Sequence, residues 1–124
     1  MLGIALFTLS LVISGCERQL PKPPAGVLSS AAARQAGAAT FAAHCAICHG
    51  IHGDGQGQRK EGMSPPPANL TLPPWSEKAN PPRAYVAIRD GVPGTPMTAW
   101  AMLGERRIWE VVAYLTSLKD EPAR

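Results

Sequence analysis

The chain has few aromatic residues: two Phe, two Tyr and three Trp make up 6% of its 124 positions. No run of alternating apolar and polar residues stands out either, so composition and pattern both argue against a packed β-sheet. Charge of one sign is not in large excess. Twelve Lys and Arg against nine Asp and Glu give a formal +3, and the basic residues are scattered, so a nucleic-acid footprint is not supported. The longest apolar run, residues 2–15, falls short of the ~20 residues that a membrane-spanning helix needs. Three cysteines are too few for a four-thiolate zinc site. In contrast, Pro (13) and Gly (12) are abundant and imply long irregular connections. A domain of this size has a marginal core unless something staples it.

The run Cys45-Ala46-Ile47-Cys48-His49 supplies a candidate staple. Cys-x-x-Cys-His is the attachment pattern of c-type haem, and its spacing has a geometric reason. On a helical turn, residues three and four apart share a face, so Cys45, Cys48 and His49 can address one flat macrocycle. Each thiol would form a thioether, and His49 would give the proximal nitrogen to iron. Two other readings compete. Zinc would have to recruit His44 and His52 from cramped positions, and a thioredoxin-like pair belongs beside a strand-helix-strand pattern that is lacking here. With one haem, two ionised propionates would lower the formal charge to about +1.

The amino terminus ends its apolar run in Leu11-Val12-Ile13-Ser14-Gly15-Cys16. It resembles a bacterial lipoprotein signal, with residues 1–15 removed and Cys16 taking the lipid, although Met1-Leu2-Gly3 lacks the basic residues usual in a secretory signal. Cysteine arithmetic agrees, since haem would consume Cys45 and Cys48 and leave Cys16 without an internal partner. The following segment, residues 16–30, contains Pro21-Lys22-Pro23-Pro24 and reads as an extended tether at ~3.1 Å per residue. Export to the periplasmic or extracytoplasmic side, with a membrane anchor, is the expected location.

Residues 31–120 form the expected domain. An Ala-rich helix is predicted from Ala31 to His44, with Ser29 or Ser30 as its cap and Gly37, Phe41 and Cys45 on one face. A second is predicted over 105–118, with Ile108, Val111, Val112, Leu115 and Leu118 at helical spacing, and a short one over 82–90 ended by Gly91. Between His49 and the short helix, the density of Gly and Pro leaves no regular element. Trp100 and Trp109 read as packing residues. These features, with Gly37-x-x-x-Phe41-x-x-x-Cys45, Pro67-Ala68-Asn69-Leu70, Gly94-Thr95-Pro96-Met97 and Val111-Val112-Ala113-Tyr114-Leu115, resemble the class I cytochrome c family from about Ala31 to Lys119.

That resemblance implies an all-α cytochrome c fold, three to four short helices and long Gly/Pro-rich loops around one covalent haem c. It implies that the first and last helices cross, with Gly37 admitting the backbone near Val111 and Tyr114. It assigns Met97 as the axial thioether; Met63, whose Gly-rich surroundings could also reach iron, is the competitor, and Met102, His44 and His52 are less favoured. It also makes the Pro67 backbone, or Pro66 with a shift of register, the acceptor for the other nitrogen of His49. Trp75 and Arg83 are candidate propionate contacts. A His and Met pair leaves no open iron site, so a carrier is expected and not an enzyme. The expected function is a tethered monohaem cytochrome passing single electrons between respiratory redox proteins. The alternatives are a fixed haem subunit of a larger oxidoreductase and, less favoured, a haem enzyme or gas sensor with a labile sixth site.

Overall fold

The computed structural model describes residues 19–72 and 80–118. Among these residues there are four α-helices and no strand: α1 (Ala31–His44), α2 (Ala46–His49), α3 (Pro81–Asp90) and α4 (Glu105–Leu118). Single 3₁₀ turns occur at Val27–Ser29 and Ala101–Leu103. The fold is the expected small all-α arrangement.

Helix α1 starts where Ser30, in extended conformation, accepts the Ala33 amide on its side-chain oxygen at 3.2 Å, satisfying one of the otherwise unpaired donors of the first turn. Alanine then favours helix throughout, but Gly37 interrupts it at a cost of about 1 kcal/mol relative to Ala. The reason is steric. A Cβ at Gly37 would overlap the Glu110 carbonyl and come within 2.9 Å of the Val111 amide nitrogen, so α1 and α4 cross with their backbones in contact. The family resemblance implied such a crossing near Val111 and Tyr114, and the contact lies at Glu110 and Val111.

Helix α4 buries Ile108, Val111, Val112, Leu115 and Leu118, and also Trp109 and Ala113. Phe41 of α1, at 2% exposure, packs into the same core. Helix α3 begins at Pro81, one residue earlier than predicted, and contributes Ala84, Tyr85 and Ile88. Tyr85 stacks on Trp109 with ring centroids 4.5 Å apart. Trp109 has no exposed surface, whereas Trp100 is only partly buried against the core, so the two expected packing residues differ in depth.

Residues 50–72 form turns and bends without a helix, as their Gly and Pro content requires. Leu70, buried at 5%, fastens this stretch to the core, and its amide donates to the Gly53 carbonyl at 2.6 Å.

One boundary moves. The segment expected to be an extended tether through residue 30 gives up its last part to the domain, because Val27 and Leu28 pack against the core while Val27–Ser29 winds into a turn. Two apolar side chains following a left-handed Gly26, at φ 75°, account for the docking. Residues 1–15, Cys16 and Trp75 lie outside the described residues. No helix among the described residues is long and apolar enough to cross a membrane.

Candidate functional site

Cys45 joins α1 to α2, and the segment Cys45 to His49 is a single helical turn made of that residue and α2. The Cys45 amide donates to Phe41 at 2.8 Å, closing α1, and the Cys45 carbonyl accepts from Cys48 at 3.1 Å and from His49 at 2.9 Å. The two thiols and the imidazole are therefore presented from one short, hydrogen-bonded turn, and all three residues are half-buried. Neither thiol is in a disulfide. Burial, followed by the proximity of Cys48, pushes the Cys45 thiol up to about 11, so it stays protonated and neutral near pH 7.

His49 is the best-defined polar group of the site. Its Nδ1 lies 3.2 Å from the Ala68 carbonyl oxygen. A carbonyl can only accept, so the proton belongs on Nδ1, and Nε2 keeps its lone pair. Burial holds the imidazole below its ordinary pKa, against a smaller opposing effect of the Ala68 bond. The ring is thus neutral near pH 7, with one nitrogen anchored and the other available as a base or metal ligand. The expectation for Pro67 is corrected here: the acceptor is the next carbonyl along. Pro67 directs its own oxygen toward Gly55, where an added Cβ would stand 2.8 Å from it.

The loop after the turn clips its open end. Consecutive carbonyls of Ile47, Cys48 and His49 accept from the amides of Arg59 at 2.9 Å, Gly57 at 3.2 Å and Gly55 at 2.7 Å. These are carbonyls that a four-residue helix leaves without intrahelical partners. A Cβ at Gly57 would overlap the Ile47 and Cys48 carbonyls, so the spacing of glycines records a close backbone approach. The Gly-rich composition signalled a wrapping loop, but not which carbonyls it would cap.

Met97 is half-buried and packs against the core from an irregular loop. The loop is closed at its base by the Val92 amide, which donates to the Met97 carbonyl at 3.1 Å. Inside it, the Thr95 hydroxyl donates to the Val92 carbonyl at 2.7 Å and accepts the Met97 amide at 3.2 Å. Gly91 was foreseen as the end of α3. It also admits this loop, since a Cβ there would lie 2.8 Å from the Met97 carbonyl oxygen. Met63 is half-buried too, whereas Met102 is 86% exposed. His52 is exposed, and the His44 ring faces Trp100 at 5.4 Å. Arg83 is exposed, with its guanidinium in no ion pair among the described residues.

No cluster of three or more His, Cys, Asp or Glu side chains that could hold a metal ion forms among the described residues. Two thiols and a bare imidazole nitrogen from one turn suit a covalently held haem, one that takes up both sulfurs and one axial position. Fold and site together define a c-type cytochrome domain. The chain belongs to the family described as cytochrome c oxidase, cbb3-type, subunit III, whose model matches residues 32–115. Among solved structures, a chain of the reducing HAO-like protein complex of Kuenenia stuttgartiensis is similar in fold, with a TM-score of 0.64 and 23% identity. The match covers 82% of the present chain but 47% of that one, so the chain spans about half the length of its structural relative. No curated protein matches it. Membership of the family implies covalent haem c and a role in electron transfer.

Proposed function

We propose that the protein is a monohaem cytochrome that passes single electrons between respiratory redox proteins while tethered to a membrane through Cys16. In this reading Cys45 and Cys48 would hold the haem by thioethers, and His49 Nε2 and the Met97 sulfur would be its iron ligands. When bound, the haem supplies a one-electron couple, and a His and Met pair favours the ferrous state relative to two His ligands. The observation that supports the reading is the Nδ1 contact with Ala68, which leaves Nε2 available as a ligand. The part of the protein in this scheme is to orient two side chains and exclude competing ligands. Exposed Ile47, within the attachment segment, and Ile51, just after it, favour a small apolar contact with partners that must separate after each transfer.

The family description favours a second reading, in which the domain is a fixed haem subunit of a terminal oxidase or related complex. Native purification distinguishes the two: stoichiometric retention with an oxidase or dehydrogenase rejects free shuttling. For the site itself, the expected result is haem that survives denaturing electrophoresis and acidified organic solvent, together with a methionine-iron charge-transfer band in the ferric spectrum. Met97→Ala should abolish that band and lower the reduction potential, while Met63→Ala should leave both in place. The reverse outcome would exchange the two assignments. Negligible carbon monoxide binding to the reduced protein rejects a labile sixth site. Cys16→Ser should release the protein from the membrane fraction.

A further inference from the structure

The Ala68 carbonyl reaches His49 from an irregular stretch that has no helix or sheet to hold it. Two features hold it instead. On one side Gly55 is a thin layer between the attachment turn and this stretch. Its amide donates to the His49 carbonyl at 2.7 Å, and a Cβ on it would lie 2.8 Å from the Pro67 oxygen and 3.3 Å from the Asn69 nitrogen. On the other side the Asn69 side-chain oxygen accepts both the Thr71 amide at 2.9 Å and the Thr71 hydroxyl at 2.7 Å, locking the chain just past Ala68. Leu70 is pinned in the core and bonded to Gly53, so any push from Gly55 must be taken up by Pro67 and Ala68.

We propose that Gly55, as spacer, and Asn69, as staple, are positioning residues that set the length of the His49 to Ala68 hydrogen bond and through it the donor strength of the imidazole toward haem iron. The inference rests on the reading that His49 ligates the iron. A short Nδ1–H bond to a carbonyl gives the ring partial imidazolate character and strengthens its donation, which favours ferric iron. Lengthening that bond weakens donation and raises the potential.

The test compares Gly55→Ala with Gly62→Ala in the holoprotein. Gly62 has the same backbone strain, φ 78° against 77°, but nothing lies within 4 Å of a Cβ placed there. Gly55→Ala should raise the reduction potential, shift the hyperfine-shifted His49 Nδ1–H resonance of the ferric protein and speed its exchange with solvent. Gly62→Ala should move none of these. Asn69→Ala should act in the same direction, and Asn69→Asp, which keeps an acceptor oxygen but adds a charge that itself alters the potential, should restore the Nδ1–H resonance and its exchange rate. Potentials and Nδ1–H signals unchanged in Gly55→Ala and Asn69→Ala overturn the proposal. If Gly55→Ala does not assemble, an unchanged Asn69→Ala does so alone. A wild-type protein without covalent haem would remove the ligation reading itself, whereas haem present with unmoved signals removes only the role of Gly55 and Asn69.

Discussion

At the scale of single residues, what matters is which atom is left free after local hydrogen bonds are made. His49 shows this through its Nδ1 contact with Ala68, and Thr95 orders the loop around Met97 in a similar way. The Thr95 hydroxyl is both donor and acceptor within one loop, so Thr95→Val keeps shape and volume while removing two hydrogen bonds. The loss is expected to be about 1–2 kcal/mol at most, since each net bond contributes about 1 kcal/mol. If Met97 is the distal ligand, the consequence appears at the iron: the charge-transfer band of Thr95→Val should fade at a lower temperature than in wild type, and Thr95→Ser should behave as wild type. A thermal series of ferric spectra reads this out. Identical fading in all three proteins would mean that Thr95 does not hold the ligand loop.

That Cys45, Cys48 and His49 share one turn was legible in the sequence because the pattern is local. Five consecutive residues carry two thiols and an imidazole at one spacing, and no tertiary arrangement is needed to recognise them. The acceptor for His49 was legible only to within a residue. Which of two successive carbonyls meets the ring depends on how Gly55 and Leu70 set the register of the 67–70 stretch, and that register comes from packing between segments distant in sequence. The same limit applies to Gly91, whose second role beside the Met97 carbonyl depends on where the loop returns.

At the scale of elements, the α1 and α4 crossing decides the architecture, and Gly37 decides the crossing. Helix propensity alone says that Gly37→Ala should stabilise α1 by about 1 kcal/mol. Packing says the opposite, since the added methyl group would overlap the Glu110 carbonyl of a neighbouring backbone, which has no flexible end to move aside. Overpacking of this kind costs about 1–3 kcal/mol when side chains can yield, and the rigid contact belongs at or above the upper end. Gly37→Ala is therefore expected to lower stability by about 2 kcal/mol or more in urea unfolding. A stabilised variant would mean that the two helices do not touch there. The helices themselves were readable from alanine runs and from the spacing of Ile108, Val111, Val112, Leu115 and Leu118. The docking of Val27 and Leu28 was not, because a two-residue apolar segment after a proline-rich stretch carries no periodicity.

For the whole molecule, the question is how much of the structure stands without the cofactor. The helical core is continuous through side chains of this chain alone: Phe41 from α1, Tyr85 and Ile88 from α3, and Ile108, Trp109, Val111, Val112 and Leu115 from α4. The stretch from Gly50 to Leu72 is held differently. Leu70 is its buried hydrophobic anchor, and the rest is fastened by backbone bonds to the Cys45–His49 turn and by the contact between Ala68 and His49. On the proposed haem ligation, a Cys45→Ser/Cys48→Ser double variant with no covalent haem should lose stability unevenly. Amide hydrogen exchange in the α1 and α4 crossing should remain slower than in Gly53, Gly55, Gly57 and Leu70, whose protection should fall toward that of an open loop, because local opening there breaks few apolar contacts. Equal loss of protection in helices and loop would indicate that the helical core is itself dependent on haem, and that the crossing at Gly37 forms only after attachment.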